Sequence, residues 1–244
     1  MASLVLLFAT PALHAQETYS LSSNRVEITG PSGNITVEPG RGANVVVQVI
    51  RHGPDADKIT IEHDANSLKV VHPRGSWRDF RGDVDLKVTV PDGKELTVST
   101  ASGDIIVGAV NTGNFEAHTA SGDITAERVA GEFVELSTAS GNVRVRNAST
   151  SILKAHTASG DVRVDLSGDV RTIDASSASG NLEIGVPSTF SGTIEMSTAS
   201  GDLDTDFPIQ MISKRRDSLR AKIGNGTARA SMHTASGNVH LIKL

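Results

Sequence analysis

Apolar and polar positions alternate strictly along most of this chain, and from residue 96 the alternation repeats. Ala-Ser-Gly recurs with its glycine at Gly103, Gly122, Gly141, Gly160, Gly180, Gly201 and Gly237, at steps of 19, 19, 19, 20, 21 and 36 residues. Aligned on that glycine, each copy opens with an apolar residue (Leu96, Phe115, Val134, Leu153, Ile173, Ile194, with Ala230 small). A mostly charged residue follows, then a second apolar one, then Ser or His, then Thr, with Ser177 the one exception to the Thr. After the glycine come Asp or Asn and another apolar residue, from Ile105 to Val239. Period-two alternation on both sides of a tight turn predicts two short half-buried strands per copy. A repeat near 20 residues predicts a stack in which each unit buries its apolar face against its neighbours.

The rest of the chain is strand-like without the strict period. Between residues 20 and 95, short runs such as Arg25–Ile28, Asn44–Val49 and Val84–Val90 are separated by Gly30-Pro31, Pro39-Gly40, Gly53-Pro54 and Pro91-Asp92-Gly93, as turns require. Ser32-Gly33-Asn34-Ile35 is a faint first echo of the repeat. This part is expected to be an antiparallel lead-in that covers one open edge of the stack. Residues 207–244 break the period with the basic run Lys214-Arg215-Arg216 and then end on a last copy at Gly237. They are expected to fold over the far end as a cap.

The expected architecture is all-β: a single-stranded parallel β-helix, or β-solenoid, of about 19–21 residues per rung. The general crossover preference makes it right-handed. The expected units are residues 1–15, 16–95, 96–206 and 207–244: an export signal, the lead-in, the regular rungs, and the insertion with last rung and cap. Six or seven rungs at about 4.8 Å make a rod on the order of 30 Å long. The glycines at 103, 122, 141, 160, 180, 201 and 237 are read as structural turn residues. The Thr column falls on the inward face, so its hydroxyls must find partners in neighbouring rungs. The Asp and Asn column after the glycines is read as a turn-forming column. Stacked carboxylates at rung spacing repel by about 1 kcal/mol in water, and interspersed Asn relieves this.

Composition narrows the function. Residues 1–15 carry a short apolar core, Leu4–Ala9, before the small-residue site Ala12-Leu13-His14-Ala15, the pattern of an export signal. The expected location is therefore periplasmic, cell-surface or extracellular. No other run reaches the roughly 18–20 apolar residues that span a bilayer. The net charge is −5 and aromatics make up 3% of the chain, which argues against a nucleic-acid partner and against stacking platforms. Without cysteine, disulfides, thiolate metal sites and cysteine nucleophiles are excluded.

Residues that could carry chemistry are few. His118, His156 and His233 share an outward column, but two rungs separate the first two, roughly 9–10 Å, too far for one metal ion. Glu116 and Glu135 are adjacent, yet a catalytic acid needs a walled cleft, and Lys154 continues the column as a charge ladder. No nucleophile triad, phosphate loop or zinc motif is present. Catalytic, cofactor and metal residues are therefore expected to be none.

Two contact candidates remain. The stretch from Arg74 to Asp83 holds the chain's one Trp and three Arg. Trp77, Arg78, Phe80 and Arg81 form the first candidate, since Trp and Arg are favoured in interaction hot spots. The same two rings suit packing on the lead-in equally well. Arg144, Arg146 and Arg163 form a second, basic patch, with Asp165 expected to stack against Arg146 as a salt-bridged surface.

Val90-Pro91-Asp92-Gly93 through Leu96-Thr97-Val98, the repeated Thr-Ala-Ser-Gly-Asp/Asn, Asp206-Phe207-Pro208 and Ile223-Gly224-Asn225-Gly226 together resemble a bacterial "putative adhesin" family of β-strand repeats. That family is a domain of unknown function, and the resemblance covers about residues 25–244. It implies an exported or envelope-associated β-solenoid and brings no catalytic residues with it. The expected protein is a monomeric, non-enzymatic scaffold or interaction module whose partner is an envelope protein or a surface glycan. Alternatives are a surface adhesin or polysaccharide binder, a polysaccharide-active β-helix enzyme, and an end-to-end filament, which caps would oppose.

Overall fold

A computed structural model describes residues 17–73 and 80–244. These residues form 21 strands joined into one large sheet, with one short 3-10 turn. At the N-terminal end are β1 (Glu17–Leu21), β2 (Arg25–Gly30), β3 (Ile35–Gly40), β4 (Val45–His52), β5 (Thr60–His63), β6 (Ser67–Val71) and β7 (Asp83–Pro91), with the 3-10 turn at Ala56–Lys58. The regular copies supply β8 (Glu95–Ser102), β9 (Ile105–Asn111), β10 (Asn114–Ser121), β11 (Ile124–Ser140), β12 (Val143–Ser159), β13 (Val162–Leu166), β14 (Thr172–Ser179), β15 (Leu182–Val186), β16 (Gly192–Ser200) and β17 (Leu203–Thr205). The C-terminal segment adds β18 (Gln210–Lys214), β19 (Ser218–Ile223), β20 (Ala228–Ser236) and β21 (Val239–Lys243).

Consecutive copies pair in parallel and in register, so that Thr100, Thr119, Thr138, Thr157 and Ser177 fall in one column. The alternation sends Leu96, Phe115, Val134, Leu153 and their equivalents into a continuous apolar interior. Each fully buried Val, Leu or Ile there stabilises the stack by roughly 1.5–3 kcal/mol. β11 and β12 are long because each runs from one corner through the opposite side to the next corner without a break.

Three features of the corner explain the repeated sequence. At Gly141, φ is +155° and a Cβ would lie 2.0 Å from the Gly122 carbonyl oxygen. Both the backbone angle and the approach of the neighbouring rung therefore require glycine. Thr138 is buried, and its Oγ1 donates to that same carbonyl at 3.0 Å. The Asx residue accepts, through its side chain, the backbone N–H of the next Asx, as at Asn142 N–H to Asp123 Oδ1, 2.7 Å. Asp and Asn both supply that acceptor, which is why they interchange along the column.

Followed through these bonds, the column runs Asp85, Asn34, Asp104, Asp123, Asn142, Asp161, Asn181, Asn238, Asp202. Spatial order therefore departs from chain order at both ends. β2 and β3 lie between the later β6–β7 and β8–β9, paired in parallel on both sides. The last copy, β20–β21, is inserted between β14–β15 and β16–β17, again in parallel. The faint echo at Gly33 is thus a full corner, with Thr100 Oγ1 donating to its carbonyl. At this end antiparallel pairing is confined to β4 on β7, β1 on β4 and β5 on β6. At the other end β19 lies antiparallel on β16, and β18 on β19.

Candidate functional site

The outer faces carry the polar positions of each strand in straight columns. On the side formed by the strands before the corners, one column reads Ser99, His118, Ser137, His156, Ser176, His233, Ser197. Insertion of the last copy makes Ser and His alternate from Ser99 to Ser197, so no two imidazoles are neighbours. His156 Nδ1 shares a hydrogen bond with Ser176 Oγ at 2.8 Å, and His233 with Ser197 and Ser231 at 2.7 and 2.6 Å. Glu116 lies 3.7 Å from His118, and Glu135 lies 3.4 Å from Lys154. These contacts make a satisfied charge ladder. Among the described residues no three His, Asp or Glu side chains come together as a metal site.

The first contact candidate follows β6. Trp77 and Arg78 lie outside the described residues. Phe80 is half-buried against the core, its ring 5.3 Å from that of His72. Burial is the main cause that lowers the His72 pKa. Arg81 is exposed, and its backbone is tied down: its N–H donates to Asp55 Oδ2 at 2.9 Å and its carbonyl accepts from Asp55 N–H at 3.3 Å. The Lys58 ammonium and then this N–H hold the Asp55 carboxyl below its ordinary range. Phe80 therefore belongs to packing, and Arg81 is the described side chain of this group that projects outward.

The second candidate is brought together only in part. Arg144 and Arg163 are directly opposed on neighbouring strands. Arg144 binds Asp123 Oδ2 at 3.1 Å and Arg163 binds Glu183 Oε1 at 2.7 Å, so the patch is largely neutralised. A shallow depression of about 360 Å³ lies over Arg144, Asp161, Arg163, Asn181, Glu183 and His240. The expected Arg146–Asp165 pair does not form. The register shifts between Val145 and Ala148, so two residues of β12 face one of β13. Arg146 is exposed without an ion pair among the described residues, and Asp165 Oδ1 is buried without a hydrogen bond.

Sequence reasoning missed the open end of the stack. Phe207, Leu219 and the half-buried Leu203 and Ile209 line a hollow of about 370 Å³ there, with Arg215 and Arg216 on its wall. The basic run was visible in the sequence, but its position over an uncovered rung was not.

The family described as Toastrack DUF4097 matches residues 76–242, and the chain belongs to that family. A crystal structure titled as a "putative adhesin" from Bacteroides fragilis NCTC 9343 superposes with a TM-score of 0.52 at 13% identity, covering 95% of this chain and 98% of that one. A "putative cell adhesion protein" from Clostridium sporogenes ATCC 15579 gives 0.42 at 10% identity, with 94% and 99% covered. A "Putative lipid binding protein" from Parabacteroides distasonis ATCC 8503 gives 0.31 at 15% identity, with 95% and 98% covered. At such identities the first likeness shows the fold, and the other two carry no argument. No curated protein matches.

Proposed function

We propose that this chain is an exported, non-enzymatic parallel β-solenoid that serves in the cell envelope as an interaction scaffold. The observation that carries the reading is the layout of its outer faces. A stack held by apolar burial and corner bonds presents polar side chains in straight columns at one fixed spacing, about 4.8 Å. Such a surface suits recognition of an extended partner over many weak contacts. In this reading residues 1–15 are the export signal, 16–95 the N-terminal cover, 96–206 the regular rungs and 207–244 the far end. The protein acts in the periplasm or at the cell surface, with an envelope protein as partner. Arg81 with Trp77 and Arg78, and Arg146 beside Arg144 and Arg163, are the side chains proposed to make contact.

The deciding experiment is co-sedimentation of residues 16–244 with purified envelopes before and after protease stripping. Binding is expected to be lost on stripping and weakened by Trp77→Ala. Binding that survives stripping would instead favour an adhesin that takes a glycan or a lipid; the Bacteroides fragilis protein of similar fold is itself titled an adhesin.

A further inference from the structure

From Gly103 to Gly237 every corner inside the stack passes the same four hydrogen bonds to the next rung. At the Gly122 corner the Gly122 N–H donates to the Ser140 carbonyl at 3.0 Å and the Ile124 N–H to the Asn142 carbonyl at 2.9 Å. The Gly122 carbonyl accepts from Thr138 Oγ1, and the Asp123 carboxylate accepts from the Asn142 N–H. The Gly201 corner is last in space. Its equivalent groups are the Gly201 N–H, the Leu203 N–H, the Gly201 carbonyl and the Asp202 carboxylate. Among the described residues none of these four meets a further rung. The β18–β19 hairpin covers this rung only along β16, and its last tie is the Thr198 N–H to the Asp217 carbonyl at 3.0 Å. β17 is paired on one side alone, with β21.

Two hollows flank the uncovered corner, and both are walled by Arg215 and Arg216. One, of about 370 Å³, has an apolar floor of Leu203, Phe207, Ile209 and Leu219 and a polar wall on which Lys214, Arg215 and Arg216 outnumber Asp202 and Asp204. The other, about 650 Å³, follows Thr198, Ala199, Ser200 and Gly201. Residues 207–223 hold five basic side chains and one acidic one in a chain of net charge −5. Lys214, Arg215, Arg216, Arg220 and Lys222 make no ion pair among the described residues, all the ion pairs there lying elsewhere.

We propose that this end is a docking site for an extended, acidic segment of a partner protein, which adds to the stack as its next half-rung. The segment's backbone would accept from the Gly201 and Leu203 N–H groups, which flank the corner, so the segment would bend there as each rung does, as Ser140 and Asn142 do over Gly122 and Ile124. One apolar side chain would fill the hollow over Leu203 and Phe207, and a carboxylate would meet Arg215 and Arg216. An acyl chain could fill the hollow but would leave the row of peptide-spaced donors unmet. A second copy of this chain offers only its own Gly201 corner, which brings the same cations, its other Thr-Ala-Ser-Gly corners being already stacked. A peptide supplies all three elements at once. This surface is separate from the contact residues proposed above, so the two readings stand or fall independently.

The test uses a fluorescein-labelled peptide with the sequence of residues 114–126, Asn-Phe-Glu-Ala-His-Thr-Ala-Ser-Gly-Asp-Ile-Thr-Ala, titrated with the full chain and read by fluorescence anisotropy. Saturable binding is expected, weakened at least about tenfold by Arg215→Glu/Arg216→Glu and by Gly122→Ala in the peptide. Hydrogen exchange on the unsubstituted chain is the second readout, with new protection expected at the Gly201 and Leu203 amides. Binding without saturation, equal binding of a scrambled peptide, or unchanged exchange at those amides overturns the proposal. So does self-association, or sedimentation with phosphatidylglycerol vesicles, that the double charge reversal abolishes while the peptide stays unbound. Either of those outcomes reassigns the basic end to a second copy or to an anionic lipid surface.

Discussion

The two ends of the stack share a plan and differ in how they are closed. At both, a rung that is earlier or later in sequence is slipped one place inward, so the outermost rung belongs to an internal segment. β6–β7 lies outside β2–β3, and β16–β17 lies outside β20–β21. At the N-terminal end both sides of the outer rung are then covered, by β5 on β6 and by β4 on β7. Ala56 and Ile59 are buried there, and their carbonyls accept from the Arg51 guanidinium, which also binds Glu17. At the C-terminal end the hairpin covers one side, and its cations make no ion pair among the described residues. The same rung geometry can thus finish as a sealed cover or as an open template, and the difference lies in a few strands outside the repeat.

The sharpest way to break the comparison is to remove the inserted rung. Ending the chain after Thr227 deletes Met232, Val239 and Leu241 from the interior and separates β14 from β16. The expected loss is about 5–9 kcal/mol at roughly 1.5–3 kcal/mol per side chain, read as failure of cooperative thermal unfolding. Replacing residues 210–223 by a short Gly-Ser linker removes the buried Leu219, Ala221 and Ile223 and should lower the melting temperature, yet leave a cooperative melt, because that hairpin covers only one side of the last rung and no rung beyond it is detached.

Glycine substitutions sharpen it further. Gly141→Ala places a Cβ against the Gly122 carbonyl with rungs fixed on both sides, and at least about 3 kcal/mol should be lost in urea unfolding. Gly201→Ala meets the Gly237 carbonyl at the same 2.0 Å, yet the end rung can move outward, so about 1–2 kcal/mol is expected. The cations should separate the ends as well. Arg51→Met frees two buried carbonyls and Glu17, a loss of about 2–3 kcal/mol. Arg216→Met should stay within about 0.5 kcal/mol. As an interior reference, Thr138→Val keeps the shape and leaves the Gly122 carbonyl without its hydroxyl donor, for about 1–2 kcal/mol.

The smallest effect is set by pH. Glu17 is lowered chiefly by its hydrogen bond from Arg51, Asp55 chiefly by Lys58, and Asp64 by the N–H groups of Asn66 and Ser67. All three are at the N-terminal end. At the other end Asp206 is lowered by the Lys243 N–H and then by His240. A carboxyl lowered in the folded state contributes stability that is full above its unfolded value, about 4, and is lost as pH falls through the lowered value. Acidification below about pH 4 should therefore loosen the N-terminal cover first. Hydrogen exchange at β5 and β1 should rise before exchange at β16, and the reverse order would contradict this assignment.

Much of the fold was legible because the repeat states it locally. Leu96, Phe115 and Val134 announce the inward face, Thr138 the buried hydroxyl, and Gly141 the corner. The expected antiparallel lead-in held for β1, β4 and β5. It gave way at β2 and β3, because the pairing partners of a strand lie 40–70 residues away and alternation is the same for parallel and antiparallel edges. The Arg146–Asp165 pairing failed for a similar reason: one extra residue in β12 shifts the register, and nothing local marks it. The open end was not legible, because an unmet Gly201 N–H has the same sequence context as the met one at Gly122.

The sequence by itself determined the strand pattern, the corner and the class of fold, since period-two burial, a glycine at positive φ and an Asx acceptor are properties of each copy alone. Only the tertiary structure decided the order of the rungs, the alternation of Ser with His, and which corner is last. Every copy presents nearly the same edge to every other. The choice among them depends on the lengths of the connections and on what the irregular strands cover, and those are properties of the assembled chain.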